Sequence, residues 1–201
     1  MNNSVPVVDL FAGPGGLGEG FHSFKKNSLY PFHTRLSIEK DKYAHATLQL
    51  RSFFRQFSPE EVPGEYYDFL RGQISEKQLY HEYSAEAQKA HRESWHAELG
   101  EIPVKELNSR IYGALDRKNK WILIGGPPCQ AYSVAGRARL SRVWKNNPEI
   151  RDSDMRHYLY KEYLRILARH KPPVFIMENV RGILASRLSE GPIINKILRD
   201  L

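Results

Sequence analysis

The chain has 201 residues, 41% of them apolar and 26% charged, with a net charge of +7 at pH 7. It is long enough for one globular domain with a real core. No apolar run reaches the length of a membrane span, no signal peptide opens the chain, and one cysteine excludes an internal disulfide or a cysteine-built metal centre, so a reducing, cytoplasmic setting fits. The charge is uneven: residues 51–98 hold six Lys/Arg against nine Asp/Glu, a balance of −3, which leaves +10 on the remainder. A polyanion-binding surface would be basic in this way, although surplus lysines also serve solubility alone.

Val5-Pro6-Val7-Val8-Asp9-Leu10 reads as a first strand. A turn in the pattern Gly-x-Gly-Gly-x-Gly follows, from Gly13, and leads into a helix with Phe21 and Phe24 on one face. Glycines at this density let backbone approach a ligand closely. Leu36-Ser37-Ile38 reads as the second strand, with Glu39 at its end. An acid about two dozen positions past a glycine turn suits paired hydrogen bonds to ribose hydroxyls; a surface glutamate is the other reading. A helix follows through Leu48.

Residues 51–98 read as a mostly helical insertion, with Glu76 to Glu98 as one helix. Phe53, Phe54, Phe57, Tyr66, Tyr67 and Phe69 suggest a small local core packed on the sheet. His81, His91 and His96 lack the i, i+4 spacing of a helical metal pair and read as solvated. Leu107, Ile111 and Leu115 mark a helix over 104–116.

Trp121-Ile122-Leu123-Ile124 reads as a buried strand that Gly125-Gly126-Pro127-Pro128 stops abruptly. Cys129 should then lie in a rigid turn at a strand's carboxyl end, where ligands gather in open α/β sheets. The loop from Gln130 to about Asp154 interleaves Arg137, Arg139, Arg142, Lys145 and Arg151 with Tyr132 and Trp144. It suits a lid over nucleic acid, or else disorder with incidental charge. Met155 to His170 reads as a helix, ended by Pro172-Pro173. Val174-Phe175-Ile176-Met177 reads as the next buried strand, with Glu178 at its end and Asn179 fixing the turn. Ile193 to Leu201 closes as a helix.

Pro128-Cys129-Gln130 after a Gly-rich strand end resembles the catalytic motif of the DNA (cytosine-5) methyltransferases. Asp9-Leu10-Phe11-Ala12-Gly13-Pro14-Gly15-Gly16 resembles that family's first cofactor motif, and Glu178-Asn179-Val180 its second catalytic motif. The three blocks fall in the family's order. Glu39-Lys40-Asp41-Lys42-Tyr43-Ala44 resembles the second block, and Leu99-Gly100-Glu101-Ile102 the third, with Glu101 where the family has Asp. Arg156 and Leu159 match the fifth.

The resemblance implies an α/β fold with a Rossmann-like methyltransferase sheet, incomplete at its C-terminal end. It implies transfer of a methyl group from S-adenosylmethionine, leaving S-adenosylhomocysteine, to C5 of a cytosine flipped out of double-stranded DNA. Cys129 would add to C6 as thiolate, and Glu178 would hold ring N3. Asp9, Phe11, Gly13, Gly15, Gly16, Glu39, Glu101, Ile102, Pro128 and Leu159 would hold the cofactor, with Glu101 on the adenine amino group and Ile102 on the ring. Gln130, Ser133, Arg137, Arg139 and Arg156 would meet DNA. A bacterial modification enzyme is the usual setting.

The resemblance spans nearly all of the chain outside 51–98, but only the first portion of the family's catalytic domain. A fragment, or half of a split enzyme with a second chain supplying target recognition, is therefore expected, and the 201 residues alone should be inactive. An RNA cytosine-5 methyltransferase and a non-catalytic DNA- or cofactor-binding subunit remain the alternatives.

Overall fold

The computed structural model describes residues 4–27, 29–116, 120–128, 159–185, 187–188 and 191–201. Five strands form one sheet: β1 (Val5–Leu10), β2 (Phe32–Glu39), β3 (Ser94–His96), β4 (Ile122–Gly125) and β5 (Val174–Met177). Their order is β3-β2-β1-β4-β5, and every neighbouring pair is parallel. Parallel neighbours require crossovers, which helices supply. Helix α1 (Gly16–Ser23) joins β1 to β2, and α6 (Val104–Leu115) joins β3 to β4. Between β2 and β3 run α2 (Lys42–Phe54), α3 (Gly64–Leu70), α4 (Glu76–Glu82) and α5 (Ser84–Glu93). Helix α7 (Tyr160–His170) precedes β5. Helix α8 (Gly182–Ala185), an antiparallel pair β6 (Arg187–Leu188) and β7 (Gly191–Pro192), and α9 (Ile193–Asp200) close the chain. This is the α/β, Rossmann-like sheet that the resemblance implies.

Strands covered on both faces read as continuous apolar runs, which is why the central strands are visible in the sequence. Val8, Leu10, Leu36, Ile38 and Leu123 are buried against Leu107, Ile111 and Leu115 of α6 and Tyr163 and Ile166 of α7. The fully buried Tyr163 hydroxyl lies 3.1 Å from the carbonyl oxygens of both Leu123 and Ile176, and so ties β4 to β5. Strand order reverses between β1 and β4, and the crevice outside the carboxyl ends at such a reversal is where open α/β sheets bind ligands.

Residues 51–98 differ from the single long helix read over 76–98. Tyr83 (φ −109°, ψ 54°) breaks it into α4 and α5, and residues 94–96 are strand β3. Ser-Trp-His is three residues long and carries no apolar run, so only its pairing with Ser37–Glu39 of β2 makes it a strand. Helix α2 also runs on to Phe54, past Leu48, from an N-cap at Asp41 whose carboxylate accepts from Tyr43 N (3.0 Å) and Ala44 N (2.8 Å). The aromatics form a second core: Phe53, Leu79, Ala87 and Ala90, ringed by Phe57, Tyr66, Phe69, Tyr80 and Tyr83.

Candidate active site

A cavity of about 740 Å³ opens at the carboxyl ends of the strands. Residues at or just past the end of each strand line it: Phe11 after β1, Ile38 and Glu39 of β2, His96 to Leu99 at β3, Gly126 to Pro128 after β4, and Glu178 after β5. Lys40, Asp41, Lys42 and Leu159 complete the wall.

The turn after β1 is shaped by backbone. Gly15 has φ 88°, and a Cβ there would fall 2.8 Å from Leu48 Cδ1 of α2. Phe11 holds φ 55°, a left-handed conformation that costs a non-glycine residue on the order of 1–3 kcal/mol and that clusters at functional sites. Glu39 is fixed by two backbone amides: Gly13 N donates to Oε2 at 2.7 Å, and Asp41 N donates to Oε1 at 2.7 Å. The glycine turn and the β2 tip are thereby locked together at the cavity wall.

Among the expected cofactor residues, Phe11, Glu39, Pro128 and Leu159 line the cavity. Gly13, Gly15 and Gly16 form the turn beside it without lining it. Asp9 lies beneath the turn, 1% exposed. Burial pushes its carboxyl up to about 7, and the Gly18 amide and Arg55 charge offset only part of that. Both Asp9 oxygens are buried with no hydrogen-bond partner.

Glu101 and Ile102 are not in the cavity wall. Glu101 is exposed, in a turn where its amide donates to Glu98 O at 3.1 Å, and Ile102 packs against the main core. Because β3 ends at His96, the residues that emerge at the cavity are Ala97, Glu98 and Leu99. Glu98 pairs with Lys40 at 2.7 Å, across the tips of β2 and β3. His96 stacks on His45 with ring centroids 4.9 Å apart. Among the described residues no cluster of His, Cys, Asp and Glu could hold a metal.

The ends of β4 and β5 clasp each other. Glu178 N donates to Gly125 O at 3.0 Å, and the Glu178 carboxylate lies directly over Gly126, where a Cβ would collide with it. Asn179 Nδ2 donates to Pro127 O at 3.0 Å, while its Oδ1 accepts from Val180 N at 2.9 Å. The Glu-Asn pair is thus held against the three residues that lead to Pro128. Cys129, Gln130, Ser133, Arg137, Arg139 and Arg156 lie outside the described residues.

Comparison with known proteins agrees with this geometry. Residues 69–201 match the family described as C-5 cytosine-specific DNA methylase. The chain is similar to the type II methyltransferase M.Bpa9945I of Bacillus paralicheniformis, 28% identical over 95% of this chain and 43% of the relative. It is similar to the type II methyltransferase M.BsuRI of Bacillus subtilis, 24% identical over 98% of this chain and 36% of the relative. A segment covering 34% of this chain and 17% of the relative is 41% identical to the type II methyltransferase M.FnuDI of Fusobacterium nucleatum. The chain spans between 28% and 43% of the length of the first curated relatives it matches. With a parallel sheet, an acid at the tip of β2 and a Glu-Asn pair clasped to the Gly-Gly-Pro-Pro strand end, the chain belongs to the C-5 cytosine-specific DNA methylase family.

Proposed function

We propose that this chain is the cofactor-binding and catalytic portion of a DNA cytosine-5 methyltransferase that draws its methyl group from S-adenosylmethionine. The observation that carries the reading is the clasp of Glu178 and Asn179 on Gly125–Pro127 at the lip of the cavity. It holds the acid against Gly125 and Gly126, four and three residues before Cys129, the one cysteine in the sequence.

The cavity volume suits a ligand of nucleoside size. The donor set fits S-adenosylmethionine: Glu39, pinned by two amides, for ribose hydroxyls; Glu98 for the adenine amino group; Ile38, Leu99 and Phe11 for apolar contact with the ring. Glu98 and Leu99 take the roles that the family resemblance gave to Glu101 and Ile102. When bound, the cofactor supplies an electrophilic methyl on a sulfonium. Cys129 forms a bond to C6 of an extruded cytosine, and Glu178 protonates or hydrogen-bonds N3 as negative charge reaches it. C5 would then be nucleophilic and would take the methyl as the sulfonium becomes the neutral thioether of S-adenosylhomocysteine. Loss of the C5 proton to water, with return of the N3 proton to Glu178, would expel the thiolate and restore the ring. Relatives named as type II methyltransferases support a restriction-modification setting. The basic balance outside 51–98 supports duplex DNA as the partner.

Extracts expressing the native locus, given S-adenosylmethionine and duplex DNA containing 5-fluorocytosine, should yield an adduct that survives denaturation and maps to Cys129. Cys129→Ser should give none. Cytosine methylation without an adduct at Cys129 would overturn the covalent route. Glu178→Gln should slow methyl transfer by roughly 10²–10⁴ with little change in cofactor affinity, the range for loss of a general acid. An equal loss of affinity would contradict that role.

A further inference from the structure

Residues 51–98 contribute His96, Ala97 and Glu98 to the cavity wall, yet most of the segment stands apart in its own core. Arg51 passes beside Gly15 of the glycine turn, and Arg55 reaches the helix that follows it. Arg55, the C-cap of α2, is 3% exposed, and its two terminal nitrogens diverge. Nη1 donates to Glu19 Oε2 of α1 at 2.6 Å, and Nη2 donates to Glu93 Oε1 at the end of α5. Glu93 is 8% exposed and Glu19 is 35% exposed.

The two branches serve different ends. A buried guanidinium needs one counter-charge, and the buried Glu93 supplies it. Glu19 could reach water instead, so the second bond is not needed for neutrality. What it does is hold α1. That helix is eight residues long, contains Gly16, Gly18 and Gly20, and buries only Gly18. Glycine disfavours helix and short helices are marginal, so α1 needs an outside hold. Glu19 also makes the first helical bond after the turn, with its amide donating to Gly15 O at 2.9 Å. The turn in turn grips Glu39 through Gly13 N at 2.7 Å. A continuous chain of contacts therefore runs from α5 through Arg55, Glu19 and the glycine turn to the acid in the cavity wall.

We propose that Arg55 is a positioning residue for the cofactor turn, and that the helical segment 51–98 is a brace that sets the turn through Glu19. The proposal rests on the cofactor reading given above. Its test combines hydrogen exchange of residues 13–23, calorimetric titration with S-adenosylhomocysteine, and thermal unfolding, on wild type, Glu19→Gln, Arg55→Lys and Arg55→Met. Glu19→Gln should speed exchange of α1 amides and weaken S-adenosylhomocysteine, each about tenfold, within the usual range of coupling between sites. Its exchange in α5 and its unfolding temperature should match wild type. Arg55→Lys, which keeps the charge and loses the fork, also weakens the bond to the buried Glu93 and should therefore unfold below both wild type and Glu19→Gln, while showing the same loss of affinity as Glu19→Gln. Should Arg55→Met fail to fold, Glu19→Gln still decides the matter. Wild-type exchange and affinity in Glu19→Gln would overturn the brace. If wild type itself does not bind S-adenosylhomocysteine, the cofactor reading fails, and exchange in α1 alone tests the brace.

Discussion

Glu98 and Glu101 stand three residues apart and face different surroundings: one lines the cavity and pairs with Lys40, the other projects from a turn. Glu98→Gln should therefore weaken S-adenosylhomocysteine by about tenfold, the scale of one lost charge-assisted hydrogen bond, while Glu101→Gln should match wild type by calorimetry. The reverse order would restore the assignment that the family resemblance implies. Asp9 makes a different kind of prediction. Its carboxyl rises from 3.8 to about 7 on burial, so the folded chain keeps a proton that the unfolded chain gives up. Its contribution to stability is fully present below pH 3.8 and is lost as pH rises toward about 7. The loss amounts to at most about 4 kcal/mol. Asp9→Asn cannot ionise, so it should unfold at a higher temperature than wild type at pH 8, with the gap closing toward pH 5. A gap independent of pH would show that Asp9 stays charged in the fold.

At the scale of elements, two adjacent glycines at the end of β4 should separate stability from activity. A Cβ on Gly125 would strike the Leu10 carbonyl oxygen, which belongs to β1 backbone and cannot move without unpairing the strands. Gly125→Ala should cost about 3 kcal/mol in denaturant unfolding. The three atoms nearest a Cβ on Gly126 all belong to the Glu178 side chain, which can swing aside. Gly126→Ala should leave stability near wild type and reduce methyl transfer, because the displaced group is the proposed acid. Equal stability for both variants would contradict this packing.

The same elements explain what could be read in advance. β1, β2, β4 and β5 announce themselves as buried or strand-forming runs, and because those of β2, β4 and β5 stop at Gly or an acid, Glu39 and Glu178 could be placed at strand ends from sequence. β3 is short and polar, held only by pairing with β2. Its end was not legible in the sequence, and Glu98 and Leu99, rather than the Glu101 and Ile102 that the family resemblance pointed to, line the cavity. Arg55 gave no signal at all, since its partners lie 36 and 38 residues away. The burial of β5 was also misjudged: Val174, Phe175 and Ile176 are 39–48% exposed at the sheet's edge.

For the whole molecule, no helix among the described residues is long and apolar enough to cross a membrane. The relatives are more than twice as long as this chain, and target recognition is expected in the portion it does not span. The 201 residues alone should bind S-adenosylhomocysteine yet transfer no methyl group to DNA in a tritium-incorporation assay. The most direct test of the central claim is calorimetric titration of S-adenosylhomocysteine into this chain. One site per chain is expected, weakened about tenfold or more by Glu39→Gln through loss of a pre-set carboxylate at the ribose. No binding, or binding that Glu39→Gln leaves unchanged, would contradict the account.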